Sequence, residues 1–315
     1  MIETVAKTAL YVNENLLIRR NRIQPEEGCE DRGRICVVTG AHGDELEGQF
    51  VCYELIRRIN AEKEKLRGTV DIYPALNPLG MDTGVRTVPV LDTDFNHMFP
   101  GSEDGTMMEK VISKIVDSLK GAEVIVDVHA SDTFVKEIPQ ARISEEFEDM
   151  MVPYARQLDV DLIWINAATA VHESSLAYSM CKLGVPALIL EMGLGNRINR
   201  EYGEQVVEGI LHLMHKLSLW EGSDYPVKEP RIIRNEDICF IRASESGFFM
   251  PLIENDTYVT KGTLLGEMIN PMLGEKIYEV RAECAGRLFT LREHPLAYEG
   301  ALIGRILKDE KEKTS

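Results

Sequence analysis

Short apolar runs alternate with amphipathic stretches between residues 34 and 217, and this alternation limits the folds open to the chain. Runs such as 34–40 (RICVVTG) and 186–191 (PALILE) are apolar through their centres, as in strands that are buried on both faces. Segments with helical spacing, among them 45–66 and 201–217, lie between these runs. We therefore predict an α/β fold with a mixed, mostly parallel sheet that is flanked by helices.

The other elements predicted in this part of the chain follow the same alternation. Further strands are predicted at 69–76, 123–129 and 162–166, and further helices at 106–120, 145–158 and 174–183. Residues 77–101 are rich in Gly, Pro, Asp and Asn and show little periodicity, which predicts a long loop. Loops of this length inside a compact domain are usually functional.

The alternation stops near Trp220. From about residue 226 the chain consists of short strand-like runs separated by Gly, Asn and Pro, and no helical period is visible. We therefore predict two domains, an α/β domain over 1–225 and a C-terminal all-β domain over 226–315 that resembles a sandwich or barrel.

Composition excludes several classes of function. The 315 residues carry a net charge of -17, which disfavours general nucleic-acid binding and docking on an anionic membrane. The apolar runs are too short to span a bilayer, and the N-terminal residues lack the apolar core of a signal peptide. The six cysteines are dispersed without a CxxC pair, which is typical of reduced thiols. We expect a cytoplasmic protein, and the sequence leaves a homo-oligomer open.

Three side chains with metal-binding chemistry follow two of the predicted strands. His42 and Glu45 come directly after the first strand, and His129 ends the run EVIVDVH. Ligands of open α/β sheets bind at the carboxyl ends of the strands, so these side chains are expected to lie close together. An HxxE pair alone is more often a capping His and a solvated Glu. With His129 it becomes the two-His, one-Glu set of open catalytic zinc sites, and we predict one Zn²⁺ ion.

Glu191 ends another apolar strand. A carboxylate that follows five apolar residues is costly to bury, so we interpret it as a general base or acid beside the metal. The alternative is a structural carboxylate paired with Arg197 or Arg200. Asp127 lies two residues before His129 on the same face of its strand, where it is either a partner of a ligand or an ordinary strand-end Asp.

The long loop supplies three further candidates. Arg86 is a lone cation in an uncharged stretch, where it would stabilise the oxyanion of a tetrahedral intermediate. Asn96 and His97 are able to donate to a substrate carbonyl or carboxylate. For Arg86, the competing interpretation is a solvated surface group, which is the commoner role of a loop arginine.

Five short motifs in a fixed order resemble the succinylglutamate desuccinylase/aspartoacylase family of the zinc-carboxypeptidase superfamily. The motifs are GAHGDE, NPLGMDTGVR, DTDFNHMFPG, DVH and ILEMG. The resemblance implies a zinc-carboxypeptidase-like catalytic domain followed by a β domain, with zinc on His42, Glu45 and His129. It also implies Glu191 as the general base and Arg86 as the group that polarises the scissile carbonyl. The implied reaction is hydrolysis of an amide between an acyl group and an amino acid or similar amine.

The pocket departs from the family pattern at two positions. His97 stands where relatives usually have an arginine that grips the substrate carboxylate, and Cys181 stands where aspartoacylase is expected to have a second one. We therefore predict that the substrate is a small N-acyl amine or N-acyl amino acid that is less acidic than N-acetylaspartate or succinylglutamate. Asn96 is implied to hold the substrate. His172 and Tyr298 are further candidates for the pocket wall, although a structural role is favoured for both.

Three other functions remain open at this stage. A zinc carboxypeptidase acting on short peptides needs a carboxylate clamp, which His97 weakens, and an open groove. A non-catalytic binding protein would retain the fold without the reaction. An amidase with two metal ions would use Asp44, Asp92 and Asp94, but the sequence has no second pair of histidines to support it.

Overall fold

The architecture is that of a mixed α/β protein built around one large sheet. The structure is a computed structural model that describes residues 1–89, 91–167 and 174–309. The strands up to residue 193 are β1 (Ile2–Ala9), β2 (Asn15–Ile23), β3 (Arg34–Thr39), β4 (Thr69–Tyr73), β5 (Val124–Ala130), β6 (Val135–Ser144), β7 (Leu162–Asn166) and β8 (Ala187–Gly193). The helices are α1 (Glu47–Ala61), α2 (Pro78–Thr83), α3 (Met107–Leu119), α4 (Glu148–Ala155), α5 (Leu176–Lys182) and α6 (Arg200–Lys216).

The regular structure after α6 consists mainly of strands. These are β9 (Arg231–Ile233), β10 (Ile238–Arg242), β11 (Gly247–Pro251), β12 (Thr257–Val259), β13 (Leu264–Asn270), β14 (Glu275–Arg281), β15 (Gly286–Arg292), β16 (Leu296–Ala297) and β17 (Leu302–Lys308). Among the described residues, no helix is long and apolar enough to cross a membrane.

The large sheet is mixed, as predicted. Its main order is β1-β2-β4-β3-β5-β8-β6-β15-β17-β10, with β7 and β12 pairing to β6 and β15 and β9 pairing to β7. Parallel pairing in the described chain is confined to β4-β3-β5-β8 and to β6-β7-β9. The prediction of a mostly parallel sheet is therefore wrong for the sheet as a whole. Antiparallel strands extend it at both edges, and the sequence did not show that they would join it.

Each strand and helix predicted between residues 34 and 217 is present, with ends shifted by at most five residues. Three strands were missed: β1, β2 and β6. Strand β6 contains Lys136, Glu137, Pro139 and Arg142. Proline cannot donate a ladder hydrogen bond, and the charges interrupt the apolar alternation by which strands are recognised. The loop at 77–101 also contains the short helix α2 and a 3₁₀ turn at Phe95–Met98.

The C-terminal strands divide between two sheets. Strands β11, β13, β14 and β16 form a separate four-stranded antiparallel sheet. Strand β15 instead pairs with β6, where Thr290 lies opposite Glu137. Hydrogen bonding therefore runs without a break from the predicted catalytic part of the chain into the C-terminal strands. The domain boundary at 225/226 stays a prediction.

A buried carboxylate joins three strands at one edge of the large sheet. Asp71 on β4 is fully buried, and it accepts hydrogen bonds from Arg22 of β2 at 2.8 and 2.7 Å. It also accepts from Arg34 of β3 at 2.9 Å and from Arg20 of β2 at 3.2 Å. Burial disfavours the charged form, but Arg22, Arg20 and Arg34 outweigh it and lower the pKa of Asp71. The N-terminal hairpin is thus fixed to the central strands by charge as well as by main-chain bonds.

We expect Asp71→Asn to lower the free energy of unfolding at pH 7 by about 3 kcal/mol, because three arginines then lose the carboxylate that pairs with all of them. A carboxyl group with a lowered pKa stabilises the fold above its ordinary value near 4 and loses that effect as the pH falls. The difference from the native protein should therefore shrink below about pH 4. Urea denaturation across pH measures it. Glu3→Gln, on the exposed side of Arg20, is the control and should cost less than about 1 kcal/mol.

Candidate metal centre

The turn after β3 brings His42 and Glu45 to the carboxyl edge of the sheet. Gly40 adopts φ +69°, and a Cβ there would lie 2.9 Å from the carbonyl oxygen of Pro74. A Cβ on Gly43 would meet the main chain of Gly80 at 2.0 Å. Only glycine therefore permits the sharp turn and the close approach of the 77–101 loop.

His42, Glu45 and His129 converge, as the sequence predicted. The Nδ1 atom of His42 lies 2.6 Å from Oε1 of Glu45, and Nδ1 of His129 lies 2.8 Å from Oε2 of the same carboxylate. All three residues are 4% exposed, and their ligand atoms lie within 4.8 Å of one another. Imidazole nitrogens and a carboxylate oxygen are common zinc ligands, so the group is able to hold a metal ion.

The outer nitrogens of both imidazoles face further carboxylates. Nε2 of His42 lies 3.0 Å from Oδ1 of Asp94, and Nε2 of His129 lies 3.1 Å from Oδ2 of the fully buried Asp127. Carboxylates in this position orient metal-binding histidines and raise their basicity. The sequence analysis offers Asp127 as a partner of a metal ligand. It names Asp94 only as a ligand of a second metal ion.

The charges of the centre are balanced inside a buried volume. Burial disfavours the charged form of Glu45, but His129 and His42 outweigh it and lower the pKa of Glu45 to about 2. Burial also opposes protonation of His129, yet Asp127 and Glu45 raise its pKa well above the ordinary value. The carboxylates thus require positive charge between them. A divalent cation would supply this charge in place of the imidazole protons, so the donor set fits a metal.

Arg86, Asn96 and His97 lie around the same centre. Arg86 donates to Glu45 at 3.2 Å and to Asp94 at 3.0 Å, and its side chain is 42% exposed. Asn96 is buried, and its Oδ1 accepts from the main-chain nitrogen of Leu176 at 3.1 Å. His97 is also 42% exposed, with Nδ1 3.9 Å from Asp94. The loop therefore brings one cation and two polar groups to the rim of the site.

Glu191 lies directly opposite His129 in the parallel pairing of β5 and β8. Nη1 of Arg142 lies 3.3 Å from its Oε1 atom, so Arg142, and not Arg197 or Arg200, is its ion-pair partner among the described residues. Burial raises the pKa of Glu191 to about 7, although Arg142 opposes the shift. A carboxyl group with such a pKa exchanges a proton readily at neutral pH.

A buried ion network that the sequence did not predict supports Glu191. Arg142 of β6 donates to Glu137 at 2.6 Å, and Arg305 of β17 also donates to Glu137. Thr290 of β15 donates to the same carboxylate at 3.0 Å. The guanidinium groups of Arg142 and Arg305 stack on Trp164, 5.3 and 5.2 Å from its ring centre. The partners come from strands that pair only in three dimensions, so no sequence spacing connects them.

These groups surround one cavity of about 660 Å³. Its polar lining residues include His42, Glu45, Arg86, Asn96, His97, His129, Glu137, Arg142, Glu191 and Arg305. Tyr298 is not among its lining residues. That side chain is 82% exposed and lines a separate cavity of about 300 Å³ in the C-terminal strands, so the structure does not bring it to the cavity of the metal cluster, and its role in substrate binding stays a prediction. His172 lies outside the described residues.

Residues 31–217, more than half of the chain, match the family model of the succinylglutamate desuccinylase/aspartoacylase catalytic domain. The chain belongs to the succinylglutamate desuccinylase/aspartoacylase family. The chain is also similar to the N-alpha-acetyl-L-2,4-diaminobutyric acid deacetylase of Halomonas elongata. It is 26% identical over 280 residues, which cover 82% of this chain and 78% of that protein.

Solved structures show the same fold. A succinylglutamate desuccinylase from Silicibacter superposes with a TM-score of 0.81 at 20% identity, covering 97% of this chain and 94% of that one. The ectoine utilization protein EutE from Ruegeria pomeroyi, in its product-bound form, superposes with a TM-score of 0.79 at 20% identity, covering 96% and 93%. Because the coverage extends over nearly the whole chain, the C-terminal strands share in this likeness.

We expect the purified protein to bind one zinc-class ion per chain, and Glu45→Gln or His129→Ala to abolish that binding. Each substitution removes one of three buried donors, and the ion also stabilises the fold by binding only the native state. Metal analysis after dialysis and the rise in Tm on adding Zn²⁺ measure both effects. His212→Ala is the matched control, since His212 is also buried but pairs with Asp224 at 2.6 Å. Retention of the metal in Glu45→Gln would contradict the proposed ligand set.

Proposed function

We propose that the protein is a zinc-dependent deacylase that hydrolyses the amide bond of a small N-acyl amino acid or N-acyl amine. One observation carries the proposal: the cavity places the buried His42, Glu45 and His129 cluster beside Glu191, a carboxylate whose pKa is raised towards neutrality. Family membership and the deacetylase activity named for the Halomonas relative support the same reaction.

His42, Glu45 and His129 would hold the ion, with Asp94 and Asp127 orienting the two imidazoles. Zinc in such a site acts as a Lewis acid towards the scissile carbonyl and makes water more acidic. The choice of zinc rests on the donor set of two imidazoles and one carboxylate.

Glu191 would act as the general base and then as the general acid. In its ionised form it accepts a proton from the attacking water, and in its protonated form it returns that proton to the leaving nitrogen. Arg142 holds the Glu191 carboxylate in place, because its guanidinium is itself fixed by Glu137 and stacked on Trp164.

Arg86 and Asn96 would act on the substrate. The Arg86 guanidinium is partly exposed at the rim and is held from behind by Glu45 and Asp94, so its remaining N–H groups are able to meet the oxyanion that develops on the scissile carbonyl. Asn96 is fixed by its bond to the main chain of Leu176 and presents its amide to the cavity.

The lining of the cavity favours a deacylase over a peptidase. Carboxypeptidases need an open groove, whereas Arg305 from the C-terminal strands lines one wall of this cavity. His97 at the rim is a weaker partner for a carboxylate than an arginine would be. We propose a cytoplasmic enzyme with no nucleic-acid or membrane partner, in agreement with the net charge of -17.

We expect Glu191→Gln to lower kcat by about 10² to 10⁴ while zinc content is retained, because the variant cannot transfer a proton. In the native protein kcat/KM should fall as the pH drops below about 7, since the base form of Glu191 is then lost. Steady-state hydrolysis of N-acetylated amino acids across pH measures both.

Glu47→Gln is the matched control for that experiment. Burial raises the pKa of Glu47 to about 7 as well, but its side chain accepts from the main chain of Asn199 and is absent from the lining of the cavity. The control should keep the native activity and the native fall in kcat/KM at low pH. Unchanged hydrolysis in Glu191→Gln, or cleavage of short peptides alone by the native protein, would overturn the proposed mechanism or the deacylase assignment respectively.

We expect Arg86→Gln to lower kcat by about 10² to 10³ with a smaller change in KM, because the contact strengthens only when charge develops on the oxygen. Arg86→Lys should recover part of the loss, since it retains the charge without the planar guanidinium. Arg57→Gln, on the outer face of α1, is the control for loss of a cation. A raised KM with an unchanged kcat would show that Arg86 only binds the ground state.

A further inference from the structure

Part of the lining of the main cavity is apolar. Phe147, Met151, Ala177, Cys181, Ala187 and Ile189 contribute it, and we call this group the apolar arm; Ser144, Asn166, Ser175 and Tyr178 add uncharged polar groups to the lining. Together with the polar part around the metal cluster, the arm belongs to a cavity of about 660 Å³. Cavities of this size hold ligands considerably larger than a short acyl group.

The arm begins at Glu191 and follows the face of β8. Side chains two residues apart on a strand share a face, so Ile189 and Ala187 continue the surface that carries Glu191. At about 6.6 Å for each pair of residues, the surface extends roughly 13 Å from Glu191 to Ala187. Helix α5 covers it with Ala177 and Cys181, which are four residues apart and therefore share one face of the helix.

The arm offers little to a charged group. Cys181 already donates its thiol to the carbonyl oxygen of Ala187 at 3.2 Å. Among the described lining residues, each arginine is paired with carboxylates: Arg86 with Glu45 and Asp94, Arg142 with Glu137 and Glu191, and Arg305 with Glu137. A charged substituent entering the arm would lose its hydration without gaining an unpaired charge among the described lining residues, whereas an apolar one gains by leaving water.

The position of Glu191 determines which part of the substrate enters. In the proposed reaction Glu191 gives its proton to the leaving nitrogen, so that nitrogen lies on the Glu191 side of the scissile carbonyl. The substituent on the nitrogen then continues from Glu191 along Ile189 and Ala187. The acyl group lies on the opposite side of the carbonyl.

We propose that the apolar arm binds a bulky apolar substituent on the amine side of the substrate, so the preferred substrates are N-acyl amino acids or amines with an aromatic or branched aliphatic side chain. This inference rests on the proposed deacylase function. It makes Cys181 and Ala177 specificity-determining residues, because their small side chains leave the space that the substituent fills.

A substrate panel on the zinc-loaded protein tests the inference. N-acetyl derivatives of glycine, alanine, valine, leucine and phenylalanine vary the amine side, those of aspartate and lysine add charge, and glycine with longer acyl chains varies the acyl side. We expect kcat/KM to rise about fourfold for each methylene added on the amine side until the arm is full. The aspartate and lysine derivatives should be poor substrates.

Cys181→Phe fills the arm, and we expect it to lower kcat/KM for N-acetylphenylalanine by about tenfold or more while N-acetylglycine changes by less than about twofold. Leu183→Phe, which introduces the same ring at an exposed position next to α5 and outside the cavity lining, is the control and should keep the native preference. Ala177→Leu fills the arm from the other position on α5, so a Cys181→Phe protein that fails to fold does not end the test. Tm and zinc content are measured for every variant.

The outcomes separate the inference from the proposed function. A zinc-loaded native protein that hydrolyses none of the N-acyl compounds would overturn the deacylase function. Hydrolysis with a preference for the glycine or aspartate derivative would overturn the apolar arm alone. If the filled variants lose the longer acyl chains and retain the phenylalanine derivative, the arm binds the acyl side and our assignment is wrong.

Discussion

Two buried imidazoles share a single carboxylate, and the rest of the site is arranged around that contact. Nδ1 of each ring lies against one oxygen of Glu45, and Nε2 of each ring faces a second carboxylate. Such a concentration of charge in a buried region is stable only when positive and negative groups balance. The parallel pairing of β3, β5 and β8 makes the balance possible, because it brings the ends of three strands to one edge of the sheet.

The sequence predicts the parts of this protein in which local pattern and position agree. Strands β3, β5 and β8 are apolar and end in polar residues, so both the strands and the cluster at their ends were recognisable. Strand β6 was missed because it contains Pro139 and charged residues that have functions of their own. Three partners of Glu137 come from β6, β15 and β17, and pairing between such distant strands leaves no periodic signal.

The cavity combines charged and apolar lining along one face of β8. Ile189, opposite Arg142, and Ala187 continue the strand face that carries Glu191, and Glu191 itself lies opposite His129 of the metal cluster. Its raised pKa reflects this position, since burial outweighs the attraction of Arg142. In the proposed reaction, proton transfer and selection of the substrate would thus depend on the same strand face.

Glu137 connects the C-terminal strands to the candidate site. Its carboxylate is buried between Arg142 on one side and Arg305 and Thr290 on the other, and the latter two lie beyond residue 217, where the match to the family's catalytic domain ends. A protein trimmed to that match would keep every proposed metal ligand and Glu191. It would also leave Glu137 with only Arg142 and Ser131 of its four hydrogen-bond partners in the described chain and remove Arg305 from the cavity wall, so the ion network beside Glu191 is complete only in a chain longer than the matched domain.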